Sequence, residues 1–273
     1  MNVTLQIQTP EFPVVSFRII GNEANERVAV LVHGFPDNGN AWVPVAERLA
    51  EDFLVIVPDL PGSGDSELKD EAVSLEEISH SLAAILASRK ISSAVFAGHS
   101  MGGYTILALA ANRPEMFRGM SLVHSSAYAD TDEKKETRRK SIALIRKGGK
   151  EPFVKQMVPG LFSEWSKTNR PEVIEREINR GLQLKAESMI SFYNAMINRP
   201  DRTEVLENAD FPVQWIVGMQ DNAVPYRNSL AQATLSDVSF VSVYDPCGHM
   251  SMTEQTDRLV NDLKEFINYC YNQ

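Results

Sequence analysis

Ala97-Gly98-His99-Ser100-Met101-Gly102-Gly103-Tyr104-Thr105-Ile106 is the stretch whose reading decides the fold. Upstream, Ala94, Val95, Phe96 and Ala97 form an apolar run of the length of a short buried strand. Downstream, Tyr104 to Ala111 has no polar face beyond Thr105, which reads as a helix packed on most sides and closed by Asn112-Arg113-Pro114. A serine between two glycines at such a junction is forced through a sharp, strained turn. Cβ atoms at positions 98 and 102 would collide there. The Ser100 hydroxyl then projects from the turn, and the amide of Met101 sits at the helix N-terminus, aimed at a developing anion.

A serine needs a base within hydrogen-bond reach to attack at neutral pH. The chain has five histidines. His99 neighbours Ser100, and on a sharp turn it points elsewhere, so it reads as structural. His80 lies in the amphipathic run Leu75 to Lys90 and reads as surface or helix packing. His33 opens His33-Gly34-Phe35-Pro36 after the apolar strand Val28 to Val32, and reads as shaping a turn whose Phe35 amide is a second oxyanion donor. His124 follows the apolar strand Met120 to Val123 and is a candidate for lining a pocket. His249 stands in the turn Asp245-Pro246-Cys247-Gly248-His249-Met250, between the β-branched strand Val238 to Tyr244 and a terminal helix, Glu254 to Tyr271. A loop where strand ends gather is where a general base belongs.

The base needs a carboxylate to hold its tautomer and favour the imidazolium. Asp221 follows the strand Pro212 to Gly218. Asp245 competes, but four residues along a turn seldom bring a carboxylate to the far imidazole nitrogen. The end of the preceding strand, His124-Ser125-Ser126, carries no acid. The candidates therefore run Ser100, Asp221, His249 in nucleophile, acid, base order.

Apolar or β-branched runs recur at Val14–Ile20, Val28–Val32, Leu54–Val57, Ala94–Ala97, Met120–Val123, Val213–Val217 and Phe240–Val243, with an edge strand near Val3–Gln8. Helical stretches at Ala41–Glu51, Leu75–Arg89 and Tyr104–Asn112 alternate with them. That alternation predicts a mostly parallel sheet with ligands bound beyond the strand carboxyl ends. Ser100, Asp221, His249 and Phe35 all follow strands, so they converge on that edge. From about Ala129 to Arg199 no strand-like run occurs and helical periodicity dominates. The expected organisation is a first core part over 1–128, a helical cap over 129–199 and a second core part over 200–273.

With 273 residues, 43% hydrophobic and 23% charged, the chain suffices for one large core. A net charge of −9 argues against nucleic acid or an anionic membrane as the main partner. Two cysteines, Cys247 and Cys270, make no disulfide framework and suit a reducing compartment. No exported leader is evident and no apolar run reaches spanning length. The expectation is a cytoplasmic monomer or homodimer with a small-molecule substrate, no cofactor and no metal.

The chain resembles the α/β-hydrolases, in the subgroup of cofactor-free serine hydrolases with a helical cap. The resemblance rests on His33-Gly34-Phe35-Pro36-Asp37, Pro58-Asp59-Leu60-Pro61-Gly62-Ser63-Gly64-Asp65-Ser66, Gly98-His99-Ser100-Met101-Gly102-Gly103, Gly218-Met219-Gln220-Asp221 and Gly248-His249. It implies an α/β fold with a mostly parallel eight-stranded sheet, helices on both faces, the triad on loops at one edge, and a cap inserted after the sixth strand. The His-Gly-Phe-Pro-Asp wording is similar to that of epoxide hydrolases and haloalkane dehalogenases, but those use an aspartate nucleophile and position 100 is serine. Phe35 also replaces the triple-glycine oxyanion loop of many lipases, which argues against bulky tertiary or long-chain esters.

The expected activity is hydrolysis of a small to medium carboxylic ester or lactone through an acyl-enzyme. Alternatives are a carbon–carbon bond hydrolase on a vinylogous diketone, or a small-molecule receptor on the same scaffold. Candidate pocket residues, besides His124, are Phe153, Met157, Phe162, Trp165, Phe192 and Met196, with Leu161 beside them. Asp130 to Lys150 carries eight Lys or Arg against four Asp or Glu. That reads as a solvated helix face, or as a cap surface that draws in anionic substrates.

Overall fold

The computed structural model describes residues 2–68 and 72–273. Its strands are β1 (Asn2–Ile7), β2 (Val15–Ile20), β3 (Val28–Val32), β4 (Leu54–Pro58), β5 (Ala94–His99), β6 (Phe117–Val123), β7 (Val213–Gly218) and β8 (Ser239–Tyr244). They form one sheet in the order β1-β2-β4-β3-β5-β6-β7-β8. The β1–β2 and β2–β4 pairs are antiparallel and all later pairs are parallel. β3, β4, β5 and β7 are buried at every position, as their unbroken apolar runs require of strands covered on both faces. β1 and β8 alternate in exposure because they form the two edges.

Helices α1 (Val43–Leu49), α2 (Leu75–Ser88) and α3 (Met101–Asn112) connect the earlier strands. α2 starts where its sequence provides a capping box. Ser74 Oγ accepts the Glu77 amide at 3.2 Å, and the Glu77 carboxylate accepts the Ser74 amide at 2.8 Å. Between β6 and β7 come α4 (Asp132–Arg146), α5 (Lys150–Met157), α6 (Glu164–Asn169), α7 (Pro171–Gln183), α8 (Ala186–Asn198) and α9 (Thr203–Glu207). After β7 follow α10 (Tyr226–Gln232), then beyond β8 α11 (Ser251–Glu254) and α12 (Thr256–Tyr271).

α2 and α3 pack on each other, with α3 on β5, while α1 and α12 pack together over β4 and β6. The sheet is thus covered on both faces, and the strand carboxyl ends between them gather Phe35, Ser100, Asp221 and His249. α4 to α8 pack chiefly among themselves, and none of the described residues from 129 to 199 is in a strand. Three boundaries differ from the sequence reading. α3 begins at Met101 rather than Tyr104, because the turn at Ser100 opens directly into the helix. α4 begins at Asp132, capped by Thr131, whose hydroxyl accepts the Lys134 amide, three residues into the stretch read as helical from about Ala129. The terminal helix is broken at Gln255, which leaves the helical region at φ −136°.

Candidate active site

Ser100 adopts φ 50° and ψ −114°, a backbone state that costs a non-glycine residue on the order of 1–3 kcal/mol. Its neighbours leave no alternative. A Cβ on Gly98 would lie 2.6 Å from the Gly102 carbonyl, and one on Gly102 would lie 2.3 Å from the Val32 carbonyl oxygen. β3, β5 and α3 meet that closely only because both positions lack a side chain. The strained residue is held by β6 and the loop beyond it. Ser100 donates its N–H to Val123 O at 2.9 Å, and its own carbonyl accepts Ser125 Oγ–H at 2.8 Å. Ser100 is half-buried, and among the described residues its hydroxyl makes no hydrogen bond. The amides of Met101 and Phe35 likewise find no acceptor among the described residues.

His249 is buried, with 2% of its surface exposed. Its Nδ1–H donates to Asp221 Oδ2 at 2.7 Å, which leaves Nε2 as the nitrogen available for a proton. The other carboxylate oxygen, Oδ1, accepts the amides of Ala223 and Val224, each at 2.8 Å. Burial pushes the Asp221 carboxyl up, but the His249 and His124 imidazoles beside it outweigh burial and hold it far below the usual carboxylate range. Asp245, the competing acid, is exposed.

The remaining histidines are explained by their contacts. His33 donates Nδ1–H to Gly34 O at 2.9 Å and accepts the Leu60 amide on Nε2 at 3.0 Å. One neutral imidazole thereby joins the turn before Phe35 to the Asp59-Leu60-Pro61 loop. Burial lowers its pKa, in keeping with that neutral form. His99 Nε2–H donates to the His249 carbonyl at 2.9 Å, and burial, reinforced by the neighbouring imidazoles, keeps His99 well below its ordinary value. His80 is half-exposed, 3.4 Å from the Glu11 carboxylate.

His124 departs from the pocket-lining expectation. It is fully buried at φ 49°, with Nδ1 3.3 Å from Asp221 Oδ2 but outside hydrogen-bonding geometry. The end of β6 abuts the end of β7 in the sheet, so this side chain packs beside the acid. Burial lowers its pKa against the pull of Asp221. His124, Asp221 and His249 are also the residues whose donor atoms, all within 4.8 Å, could approach a metal ion. The 2.7 Å proton bridge between two of them already occupies the facing lone pair.

Of the aromatic and methionine candidates, Phe153, Phe162, Phe192 and Met196 are buried. The Phe35 ring meets Tyr193 at 4.6 Å and Phe153 at 6.5 Å between centroids, so an aromatic cluster from α5 and α8 covers the Phe35 turn. Tyr193, next to Phe192 on α8, is absent from the sequence-based pocket candidates because an apolar run buried on most sides does not say which ring reaches the Phe35 turn. Met157 is half-buried and lines a hollow of about 390 Å³ with Leu144, Phe153 and Lys140. Trp165 differs from the buried candidates. It is 50% exposed on α6. Sequence reasoning also misses Glu254, which binds the loop carrying His249 to residues 91 positions away and so leaves no local pattern.

A strained, half-buried serine at a strand-to-helix turn, with an Asp-held imidazole on a neighbouring loop of a mostly parallel sheet, defines the α/β-hydrolase class. A family model described as the alpha/beta hydrolase fold matches residues 28–256, and the chain belongs to that family. A thermophilic esterase from Thermogutta terrifontis, solved with malate bound, is 29% identical with a TM-score of 0.90, covering 99% of each chain. A pimeloyl-[acyl-carrier protein] methyl ester esterase of Xanthomonas campestris pv. campestris is 27% identical over 87% of this chain and 94% of its own length. The chain is also 38% identical over 101 residues to a dihydrolipoyllysine-residue acetyltransferase component from Pseudomonas putida, spanning 27% of that longer protein. The family match makes the protein an α/β-hydrolase. Among the described residues no helix is long and apolar enough to cross a membrane.

Proposed function

We propose that the protein is a serine hydrolase of small to medium carboxylic esters or lactones. The observation that carries this reading is the 2.7 Å His249–Asp221 hydrogen bond on the same sheet edge as the strained Ser100. His249 Nε2 takes the Ser100 hydroxyl proton as Oγ attacks the carbonyl carbon. The resulting oxyanion is held by the Phe35 and Met101 amides, each such donor contributing about 3 kcal/mol to the transition state. Collapse breaks the C–O bond, and the imidazolium gives its proton to the departing alkoxide. Water then attacks the acyl-enzyme, losing a proton to His249, and the acid leaves as Ser100 recovers its own. Asp221 keeps the proton on Nδ1 and stabilises the imidazolium. The Ser100–His249 contact closes when substrate is bound, a tightening common in hydrolytic sites. Helices α4 to α8 act as a cap that limits water and bounds the acyl pocket near Phe35, Phe153 and Tyr193.

Fluorophosphonate labelling together with p-nitrophenyl acetate turnover tests the reading. Wild type is expected to label on Ser100 and to turn over repeatedly, and Ser100→Ala to do neither. A single burst without turnover would point to a receptor on this scaffold. Activity retained in Ser100→Ala would remove the assignment of the nucleophile.

A further inference from the structure

Glu254 ends α11, five residues beyond His249, and its carboxylate joins two parts of the chain that lie far apart in sequence. Oε1 accepts the Gly248 amide at 2.8 Å and faces Cys247 Sγ at 3.8 Å. Oε2 accepts the Ser163 amide at 2.9 Å, the Ser163 hydroxyl at 2.5 Å and the Ser166 hydroxyl at 2.7 Å. Ser163 is also the N-cap of α6, accepting the Ser166 amide at 3.2 Å. One anion therefore fixes the loop before the base and the first turn of a cap helix together. Such charge-assisted bonds are roughly twice as strong as neutral ones.

Other contacts continue the seam on both sides. His249 N–H donates to Leu161 O at 2.6 Å, Arg170 donates to Thr253 O at 3.0 Å, and the Glu164 amide donates to Gln220 Oε1 at 3.0 Å. Gln220 immediately precedes Asp221. The segment from Leu161 to Arg170 thus touches the base loop at its amide and the acid loop one residue from the carboxylate.

We infer that Glu254 is a positioning residue for hydrolysis, making the placement of His249 conditional on the docking of α6 against the base loop. The inference rests on the serine hydrolase reading. Glu254 touches no reacting atom. It acts by removing freedom from the Gly248–His249 backbone, so that Nε2 meets Ser100 Oγ when substrate is present. A neutral amide cannot replace it, because an amide nitrogen at either oxygen site would face an N–H donor.

The test compares wild type, Glu254→Gln and the Ser163→Ala/Ser166→Ala pair, reading kcat, KM, fluorophosphonate labelling rate at Ser100, and Tm. Glu254→Gln is expected to lower kcat and the labelling rate about 10- to 100-fold with KM within about threefold, as for a displaced catalytic group. The serine pair leaves the Gly248 bond intact and is expected to lose less. Combining all three changes should cost little more than Glu254→Gln alone, because one device is removed twice. A fall in Tm with kcat and labelling rate within twofold of wild type would overturn the inference, since a purely structural contact behaves that way. If Glu254→Gln does not fold, the serine pair decides, and unchanged kcat there overturns it. Failure of wild type to label would instead strike at the hydrolase reading. A labelled wild type with unaffected variants strikes at Glu254 alone.

Discussion

The imidazole of His99 donates Nε2–H to the carbonyl oxygen of His249 across 2.9 Å. The residue before Ser100 therefore holds the backbone of the histidine beside it, and the two loops keep their separation through one ring. Both ends of the His249 peptide are anchored, the carbonyl by His99 and the amide by Leu161. The side chain is left to rotate only about its own bonds.

Gly34 tests this arrangement. A Cβ there would lie 2.8 Å from His99 Nδ1 and 3.0 Å from Ser100 Cβ. Gly34→Ala should push the His99 ring off its bond and shift the Phe35 turn. We expect kcat/KM to fall by about 10- to 100-fold with the fold retained. Circular dichroism and steady-state kinetics on a small ester check it, and wild-type kinetics in the variant would show that His99 does not transmit position to His249.

Backbone strain at Ser100 predicts an opposition between stability and activity. Ser100→Ala keeps a Cβ at φ 50° and so keeps the strain, whereas Ser100→Gly releases it. Both variants should lose turnover. The glycine variant should be the more stable by about 1 kcal/mol, which for a domain of this size raises Tm by about 2–4 °C relative to the alanine variant. Equal melting temperatures would mean that the turn carries no releasable strain.

Asp221→Asn should leave the loop intact and still remove most activity. Its Oδ1 can keep the amides of Ala223 and Val224, which turns the amide nitrogen toward His249 Nδ1. Two donors then face each other unless the imidazole changes tautomer, and that change puts the proton on Nε2. The expected loss is about 10⁴-fold in kcat with little change in KM. A loss under tenfold would indicate that another group orients the base.

How much of this was legible in the sequence depends on whether the cause is local. The turn at Ser100 is readable because Gly98 and Gly102 act within five residues, and the sheet because its covered strands are unbroken apolar runs. Asp221 and His249 follow from position after strands. His124 misleads because an apolar strand followed by a histidine looks the same whether the ring faces a pocket or the neighbouring strand's acid. The half-exposure of Trp165 could not be read from sequence, since a six-residue helix carries too little periodicity to say which face is covered. The early turns of α4 are exposed and weakly periodic, although Thr131 with Asp132 and Glu133 is an N-terminal signal. Glu254 stays hidden because its partners come from a distant segment.

The cationic stretch from Asp130 to Lys150 is partly consumed by structure. Arg138 bonds buried Asp130 at 2.6 Å, Lys134 donates to Ala223 O at 2.9 Å, and Lys150 to Leu182 O at 2.9 Å. Lys140 remains on the rim of the hollow floored by Phe153 and Met157. If that rim attracts substrate, kcat/KM for an anionic ester should fall severalfold between 50 and 500 mM salt, over which the Debye length shortens about threefold, while a matched neutral ester stays flat. Lys140→Glu should remove most of the difference. Equal salt responses for the two esters would assign these cations to solvation alone.

A buried charge cluster beside the Phe35 turn predicts a pH-dependent stability. Arg180 of α7 lies 3.4 Å from both oxygens of Asp37 and 2.7 Å from Glu177, so two carboxylates share one guanidinium. Burial pushes Asp37 up to about 7, against the pull of Arg180 and with the repulsion of Glu177 added; burial also raises Glu177. Between the ordinary value of 3.8 and about 7 the native protein holds a proton that the unfolded chain has released. Stability from this group is therefore greatest at the acid end of that window and declines as pH rises through it. Asp37→Asn abolishes the titration and leaves Arg180 paired with Glu177. Relative to wild type, the variant should gain about 1–3 kcal/mol of stability between pH 4.5 and pH 8. Urea unfolding at the two pH values measures it, and a wild-type-to-variant difference that does not change with pH would show that Asp37 is ionised throughout.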